Sequence, residues 1–311
     1  MDFNSRNKLG IKIGEVFNKN ISALNYRYIG VKDFRGLFNT TINENSRQIS
    51  EDLKKKIDMC WSEVRTANDK YQSNFITRDY IPIALLPHKR IFHGKRESDI
   101  IMAWYNPYGK LLNKRRKNVK IIHEIVPYYN LISDFLYEPL NTPEIETWDG
   151  YEVKFHTNIS IEIKKMKYNY LEVKLELNRD NWMKFKINQE VNTAKDLIYS
   201  VDGRDIKSFN SLLYVLNSIF DDELEYIEIW ISAYNIEHQK SCISLGFIPT
   251  GYFPAVKKIN NSDLREDRII FVKSKSYPHY SGKNNNLKLI DRTKSLFNIF
   301  KDQICKIKDN R

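Results

Sequence analysis

The amino-acid sequence predicts an α/β fold of the α+β kind, built on a mixed sheet, and three stretches carry that prediction. Ile159, Ile161 and Ile163 alternate with Ser160, Glu162 and Lys164, and after a short turn Leu171, Val173, Leu175 and Leu177 alternate with Glu172, Lys174 and Glu176. A period of two with apolar residues on one side marks half-buried strands, and two joined so tightly make an antiparallel hairpin. Ile206, Phe209, Leu213, Leu216 and Phe220 recur at helical spacing, so Asp205 to Phe220 is an amphipathic helix. The stretch from Glu225 to Ala255, EYIEIWISAYNIEHQKSCISLGFIPTGYFPA, then reads as strand, helix and extended chain in succession.

Composition bounds the rest. A chain of 311 residues with 41% hydrophobic content can bury a sizeable core as one large domain or two modest ones. No apolar run approaches a membrane span, and the polar start MDFNSRNK lacks the apolar centre of a signal peptide, so a cytoplasmic protein is expected. Cys60, Cys242 and Cys305 are far apart and odd in number, which suits reducing surroundings better than a disulfide framework. No Cys/His cluster has metal-ligand spacing, and no metal is expected. The formal charge of +11 reads first as a solvated lysine surface, and beyond that favours an anionic partner: a nucleotide cofactor, RNA or an acidic surface. The aromatics sit inside alternating or helical patterns and form no evident base-stacking platform.

In chain order, residues 1 to 48 carry short apolar pieces with no sustained period. From Ser50 to about Tyr71, Leu53, Ile57, Trp61 and Val64 fall at helical spacing behind an acidic start, predicting an amphipathic helix. Tyr80 to Leu86 and Ile100 to Trp104 read as strands divided by a polar stretch with His88, Arg90, His93, Lys95 and Arg96. Lys110 to Lys120 is the strongest basic run; it reads as a solvated turn, with phosphate binding as the alternative. Pro127 splits Val119 to Leu136 into two short elements, and Glu138 to Gly150 reads as a connector. Met183, Phe185 and Ile187 predict a third meander strand, which Leu197 to Val201 extends. Within Glu225 to Ala255, Ile227, Ile229 and Ile231 face one way and Tyr226, Glu228 and Trp230 the other. Asn235 caps the helix that follows, and Gly246 closes it in positive φ. Phe247 to Ile259 and Arg268 to Lys273 pair as a hairpin. Leu289, Thr293, Leu296, Phe300, Ile304 and Ile307 give the tail an apolar helical stripe.

Strand, Asn235, helix, then Leu245-Gly246-Phe247, with the separation from Asn235 to Gly246, resembles the end of the acetyl-coenzyme A domain of the GNAT N-acetyltransferases. The order meander, helix, strand, helix, hairpin over residues 150 to 275 is similar to that family's core from its second strand onward. The resemblance implies a first strand and two helices upstream, within Asp79 to Leu140. It also implies a division into an N-terminal extension over 1 to 75, a GNAT-like domain over 76 to 275, and a loop and helix over 276 to 311.

The resemblance further implies a coenzyme A site. In that family, backbone amides at the N-terminus of the helix after the meander bind pyrophosphate, because free N–H groups and the helix dipole favour an anion there. The corresponding turn here is Val201-Asp202-Gly203-Arg204-Asp205-Ile206-Lys207-Ser208. Gly203 permits close backbone approach, and Arg204, Lys207 and Ser208 add donors, while Asp202 and Asp205 bring unwanted negative charge. Asp205 reads equally as a plain N-cap. Asn235 completes the set. Many members carry, where this chain has Cys242, a Tyr that protonates the leaving thiolate; Tyr234 and Tyr252 are the substitute donors close by, and His238 is expected to be exposed. Glu172, Glu176, Glu190 and Glu228 are carboxylates on or near strands, none of them singled out as base. No G-x-S-x-G elbow, Walker loop or GxGxxG fingerprint competes. The expected activity is therefore transfer of an acetyl or related acyl group from acetyl-CoA or another acyl-CoA to an amine on a small molecule or peptide. A non-catalytic GNAT-like module and an RNA-linked aminoacyl transferase of related fold, the latter suggested by Lys114 to Lys117, stand as alternatives.

Overall fold

The computed structural model describes residues 23–25, 58–107, 110–147, 155, 158–259, 262–277 and 287–309. Two units divide the chain, one of Met1–Ser62 with Tyr105–Leu111, the other of Glu63–Trp104 with Leu112–Arg311. In the first, strand β1 (Ala23–Asn25) pairs in parallel with the start of β2 (Met59–Arg65), Ala23 opposite Met59. The expected helix from Ser50 is overturned over these residues, since Trp61 and Val64 lie in a strand; residues 51–57 fall outside the described ones. Apolar positions here satisfy a helical period by coincidence, while Cys60, Trp61 and Val64 suit a pleated surface; the strand gives way to a turn at Thr66, whose amide donates to the Ser98 carbonyl at 2.9 Å. The helix comes later, as α1 (Asp69–Ile76), capped by Asn68.

The second unit holds a mixed sheet whose strands run β4 (Lys95–Tyr105), β3 (Ile81–Phe92), β12 (Ile248–Lys258), β13 (Arg265–Ser274), β11 (Tyr226–Ser232), β10 (Thr193–Ser200), β9 (Trp182–Asn188), β8 (Tyr170–Glu176) and β7 (Ser160–Lys165). Neighbours in this order run antiparallel except β10 with β11, which are parallel because α3 (Ile206–Glu223) crosses between them. β3 and β4 extend through the basic stretch to a turn at His93 and Gly94, where both residues take positive φ. Among the described residues, Asp79 to Leu140 thus supplies that hairpin, a short β5 (Lys120–Ile122), 3-10 turns at Leu112–Lys114 and His123–Ile125, and one α-helix, α2 (Val126–Phe135), in place of a strand and two helices. Pro127 sits in the first turn of α2, where its missing N–H costs nothing, so it starts the helix instead of breaking it. The connector holds β6 (Glu144–Glu146), parallel to β5.

Helix α3 covers the face of β11 bearing Ile227, Ile229 and Ile231: Lys273 is paired with Ile227 and bonds Asn217 of α3. Phe209, Leu213, Leu216 and Phe220 are buried on its inner side, each worth roughly 1.5–3 kcal/mol on the area scale. β11 has buried residues on both faces. Glu228 is 6% exposed, accepting from Trp230 Nε1 at 2.7 Å and pairing with Lys89 at 2.7 Å. Lys89 also reaches Glu63, which pairs with Arg90, itself paired with fully buried Asp99. Burial pushes the Asp99 carboxyl up to about 6 against the pull of Arg90. Helix α4 (Ile236–Ser244) ends at Gly246 with φ +80°, and the Phe247 N–H returns to the Cys242 carbonyl at 2.9 Å. The tail forms α5 (Asp291–Asp309), whose Thr293, Leu296 and Phe300 are buried; it packs on β3, β12 and α2.

Candidate functional site

The parallel strands β10 and β11 are in register only at Thr193 with Tyr226 and Ala194 with Ile227. Beyond those residues each strand keeps its other neighbour: β10 stays on β9 as far as Ser200 opposite Trp182, and β11 stays on β13 as far as Ser232 opposite Arg268. A break in register between Lys195 and Ile198, with Asp196 at φ +54°, bends β10 away. The two strands therefore part, and the opening lies at their C-terminal ends, where the 201–205 turn and Asn235 follow.

Asn235 does two things there. Its Oδ1 accepts from the His238 amide at 3.2 Å, capping α4, and its Nδ2 reaches the Gly203 carbonyl at 3.5 Å. A Cβ on Gly203 would stand 3.1 Å from that Nδ2, so glycine is what lets the turn come this close. The cap of α3 is Asp205, which accepts from the Ser208 amide at 3.1 Å and its hydroxyl at 2.7 Å; Asn181 Nδ2 donates to both Asp205 and Ser208. The Arg204 amide is taken by Asp202 at 3.0 Å. Of the four residues picked out for phosphate contact, Gly203, Arg204 and Lys207 are exposed at the turn, while Ser208 is buried with its polar atoms engaged.

Across the opening, Tyr199 of β10 faces His238 of α4, its hydroxyl 3.4 Å from Nδ1. The imidazole stacks on Phe209 at 3.8 Å and 15°, in the first turn of α3. His238 is only 2% exposed, against the expectation of exposure. Placed just after its cap, it points inward to the α3 contact. Burial, reinforced by Arg268, pushes its pKa down to about 3, so the ring is neutral. Burial likewise raises Tyr199 to about 12. Among the described residues His238 Nε2 has no hydrogen-bond partner, an orphaned polar atom beside the parted strands that a ligand in the opening would satisfy. The residues present thus fit a ligand with hydrogen-bonding groups along the opening, better there than at the turn, where carboxylates already hold two amides.

The three expected proton donors differ sharply. Cys242 is wholly buried and burial raises its thiol well above the ordinary value, leaving a small apolar packing residue. Tyr252 is also wholly buried and donates to Asp267. Tyr234 is partly exposed, and its hydroxyl donates to the Arg116 carbonyl at 2.6 Å; burial raises it too.

Arg115 is the residue that reading by composition missed. It meets Asp267 through Nε, 2.9 Å from Oδ1 and 3.0 Å from Oδ2, and Asp267 also accepts from the Ala255 amide at 2.8 Å. Arg115 is 9% exposed and Asp267 0%. Burial pulls the Arg115 pKa down, and the pairing with Asp267 more than reverses it. Arg116 lies over the Tyr234 ring at 4.9 Å and 3.5 Å from Glu266. The basic run is therefore not a plain solvated turn: two of its arginines are tied to β13. Four consecutive charges, Arg265 to Arg268, opening an apolar strand were the available signal. Glu228, held by Lys89 and Trp230, is engaged in the buried network.

No protein-family model matches the chain, and no curated protein matches it. Among solved structures it is similar over 38% of its length to a ribosomal-protein-S18-alanine N-acetyltransferase from Escherichia coli, at 18% identity and TM-score 0.28, covering 77% of that chain. A probable acetyltransferase from Staphylococcus epidermidis ATCC 12228 is similar over 35% of this chain and 69% of its own, at 17% identity and TM-score 0.28. An N-acetyltransferase from Staphylococcus aureus Mu50 is similar over 50% of this chain and 94% of its own, at 13% identity and TM-score 0.27. Likenesses this partial leave the class to the strand order itself. The succession of the meander β7 to β10, α3, β11, α4 and the hairpin β12–β13 is the order that the resemblance to the GNAT acyltransferases implied.

Proposed function

We propose that the chain is a GNAT-like N-acyltransferase that uses an acyl-coenzyme A, acetyl-CoA being the simplest, and delivers the acyl group to an amine. The observation that supports this most is the parting of β10 from β11 beside Asn235, with the buried Nε2 of His238 left without a hydrogen-bond partner among the described residues. Bound acyl-coenzyme A would supply the activated acyl group. Asn235 and the exposed turn at Gly203 would hold it, with Arg204 and Lys207 as exposed cations for its phosphates. Burial and the nearby Arg268 keep His238 neutral, and stacking on Phe209 with the Tyr199 contact fixes the ring, able to donate or accept without a charge to neutralise. Tyr234, the one expected donor that is not wholly buried, is the proton source this reading favours. The acceptor is an amine-bearing small molecule or peptide, and the reading is of a cytoplasmic enzyme.

A second reading, a non-catalytic module of the same fold, is favoured by Asp202 and Asp205, whose carboxylates occupy the Arg204 and Ser208 amides that a pyrophosphate would want. Thiol release from acetyl-CoA in the presence of a panel of amines separates the two. Acyl transfer that falls at least tenfold in Asn235→Asp supports the enzyme. Absence of thiol release with every amine, while the protein is folded, supports the module.

A further inference from the structure

Strand β7 is the last in the sheet, and among the described residues nothing pairs with its outer side. All six of its residues are exposed, including Ile161 at 51% and Ile163 at 61%. The sequence expectation of a half-buried strand fails here for a definite reason. Ile161 and Ile163 stand opposite Leu175 and Val173, which are 0% and 1% exposed, so the apolar face of the meander runs out to the edge without being covered there.

The edge has a readable geometry. The Met166 amide donates to the Tyr170 carbonyl at 2.8 Å, which makes that a hydrogen-bonded pair. Bonded and non-bonded pairs alternate along an antiparallel ladder, so Lys164, Glu162 and Ser160 spend their backbone groups on β8. The N–H and C=O of Ile161, Ile163 and Lys165 consequently point outward. Any strand added antiparallel must meet these residues in bonded pairs.

From this we infer that β7 pairs antiparallel with β7 of a second copy of the chain, across a two-fold axis through Ile163. That register sets Ile163 against Ile163 and Ile161 against Lys165 in bonded pairs, and brings Glu162 opposite Lys164 twice in the intervening, closer positions. The neighbouring registers with outward groups aligned centre on Glu162 or on Lys164 and oppose like charges. The choice also continues a pattern already present. On the charged face, Glu162 lies across from Lys174 and Lys164 from Glu172, so sign alternates from β7 to β8, and the copy's Lys164 and Glu162 carry the alternation outward. On the other face the copy extends the apolar stripe of Val173 and Leu175 across Ile163. The interface is isologous and closes, so it yields a dimer and no fibre.

Sedimentation of the full chain over a concentration series tests this, together with circular dichroism on each variant. A concentration-dependent mass of twice the monomer is expected. Lys164→Glu, which sets two carboxylates against each other at both of the closer positions, should weaken dimerisation by roughly tenfold or more. Glu162→Lys combined with Lys164→Glu should restore it. Ile163→Pro removes an outward N–H without touching the β8 bonds and should abolish it. A monomer at all concentrations, a dimer indifferent to both Lys164→Glu and Ile163→Pro, or a charge reversal that fails to rescue would each overturn the inference.

Discussion

Asn235 divides two contacts between its two side-chain polar atoms. Its oxygen caps α4 and its nitrogen meets Gly203, so Asn235→Asp keeps the acceptor and loses the donor. Thermal stability of that variant should stay near that of the parent while acetyl-CoA affinity drops. Asn235→Ala should lose about 1 kcal/mol of stability as well, read by denaturant unfolding. Asp267 is the opposite case, a residue whose partners are all internal. Asp267→Ala would leave the Arg115 guanidinium buried without its carboxylate and free the Tyr252 hydroxyl and Ala255 amide; a loss on the order of 3–5 kcal/mol is expected in the same measurement. His238 gives a pH signature. Its folded pKa of about 3 lies below the unfolded value near 6.5, so the unfolded chain binds a proton that the folded chain refuses. Its contribution is whole above that unfolded value and is lost as pH falls from there towards 3, by up to about 1.4 kcal/mol per pH unit. His238→Gln should flatten the acid limb of stability against pH between about 6 and about 4; an unchanged slope would show that the ring titrates normally.

Among the elements, β12 shows how tightly the sheet is built where it meets the hairpin β3–β4. Gly251 is paired with Ala84, and a Cβ there would lie 2.3 Å from the Ile83 carbonyl oxygen and from Ala84 Cβ. Gly251→Ala must push backbone from backbone, so a cost above the roughly 1–3 kcal/mol of ordinary overpacking is expected, with lost near-ultraviolet dichroism as the visible sign. Legibility in the sequence divides along the same lines. Where one element satisfied its own pattern, as with Asp205 capping α3, Asn235 capping α4 and Gly246 closing it, local chemistry decided the outcome and the residues announced it. Ile161, Trp61 and Arg115 were misleading because their surroundings come from far along the chain: a sheet edge left uncovered, a strand paired with distant partners, and a carboxylate on β13. His238 misled for a related reason, since burial against Phe209 depends on how α4 meets α3, which no helical period encodes.

At the scale of the whole molecule, the second unit is organised around the parallel junction of β10 with β11. The meander β7 to β10 lies on one side of it and the hairpin β12–β13 with β3–β4 on the other, so the place where the two strands part coincides with the caps of both adjoining helices. That coincidence is what the acyl-coenzyme A reading rests on. Its most direct test is isothermal titration of the full chain with acetyl-CoA, alongside Asn235→Asp. Saturable one-site binding at micromolar to millimolar cofactor, weakened at least tenfold in the variant, is the expected result. No heat of binding at millimolar acetyl-CoA with a folded protein would contradict it.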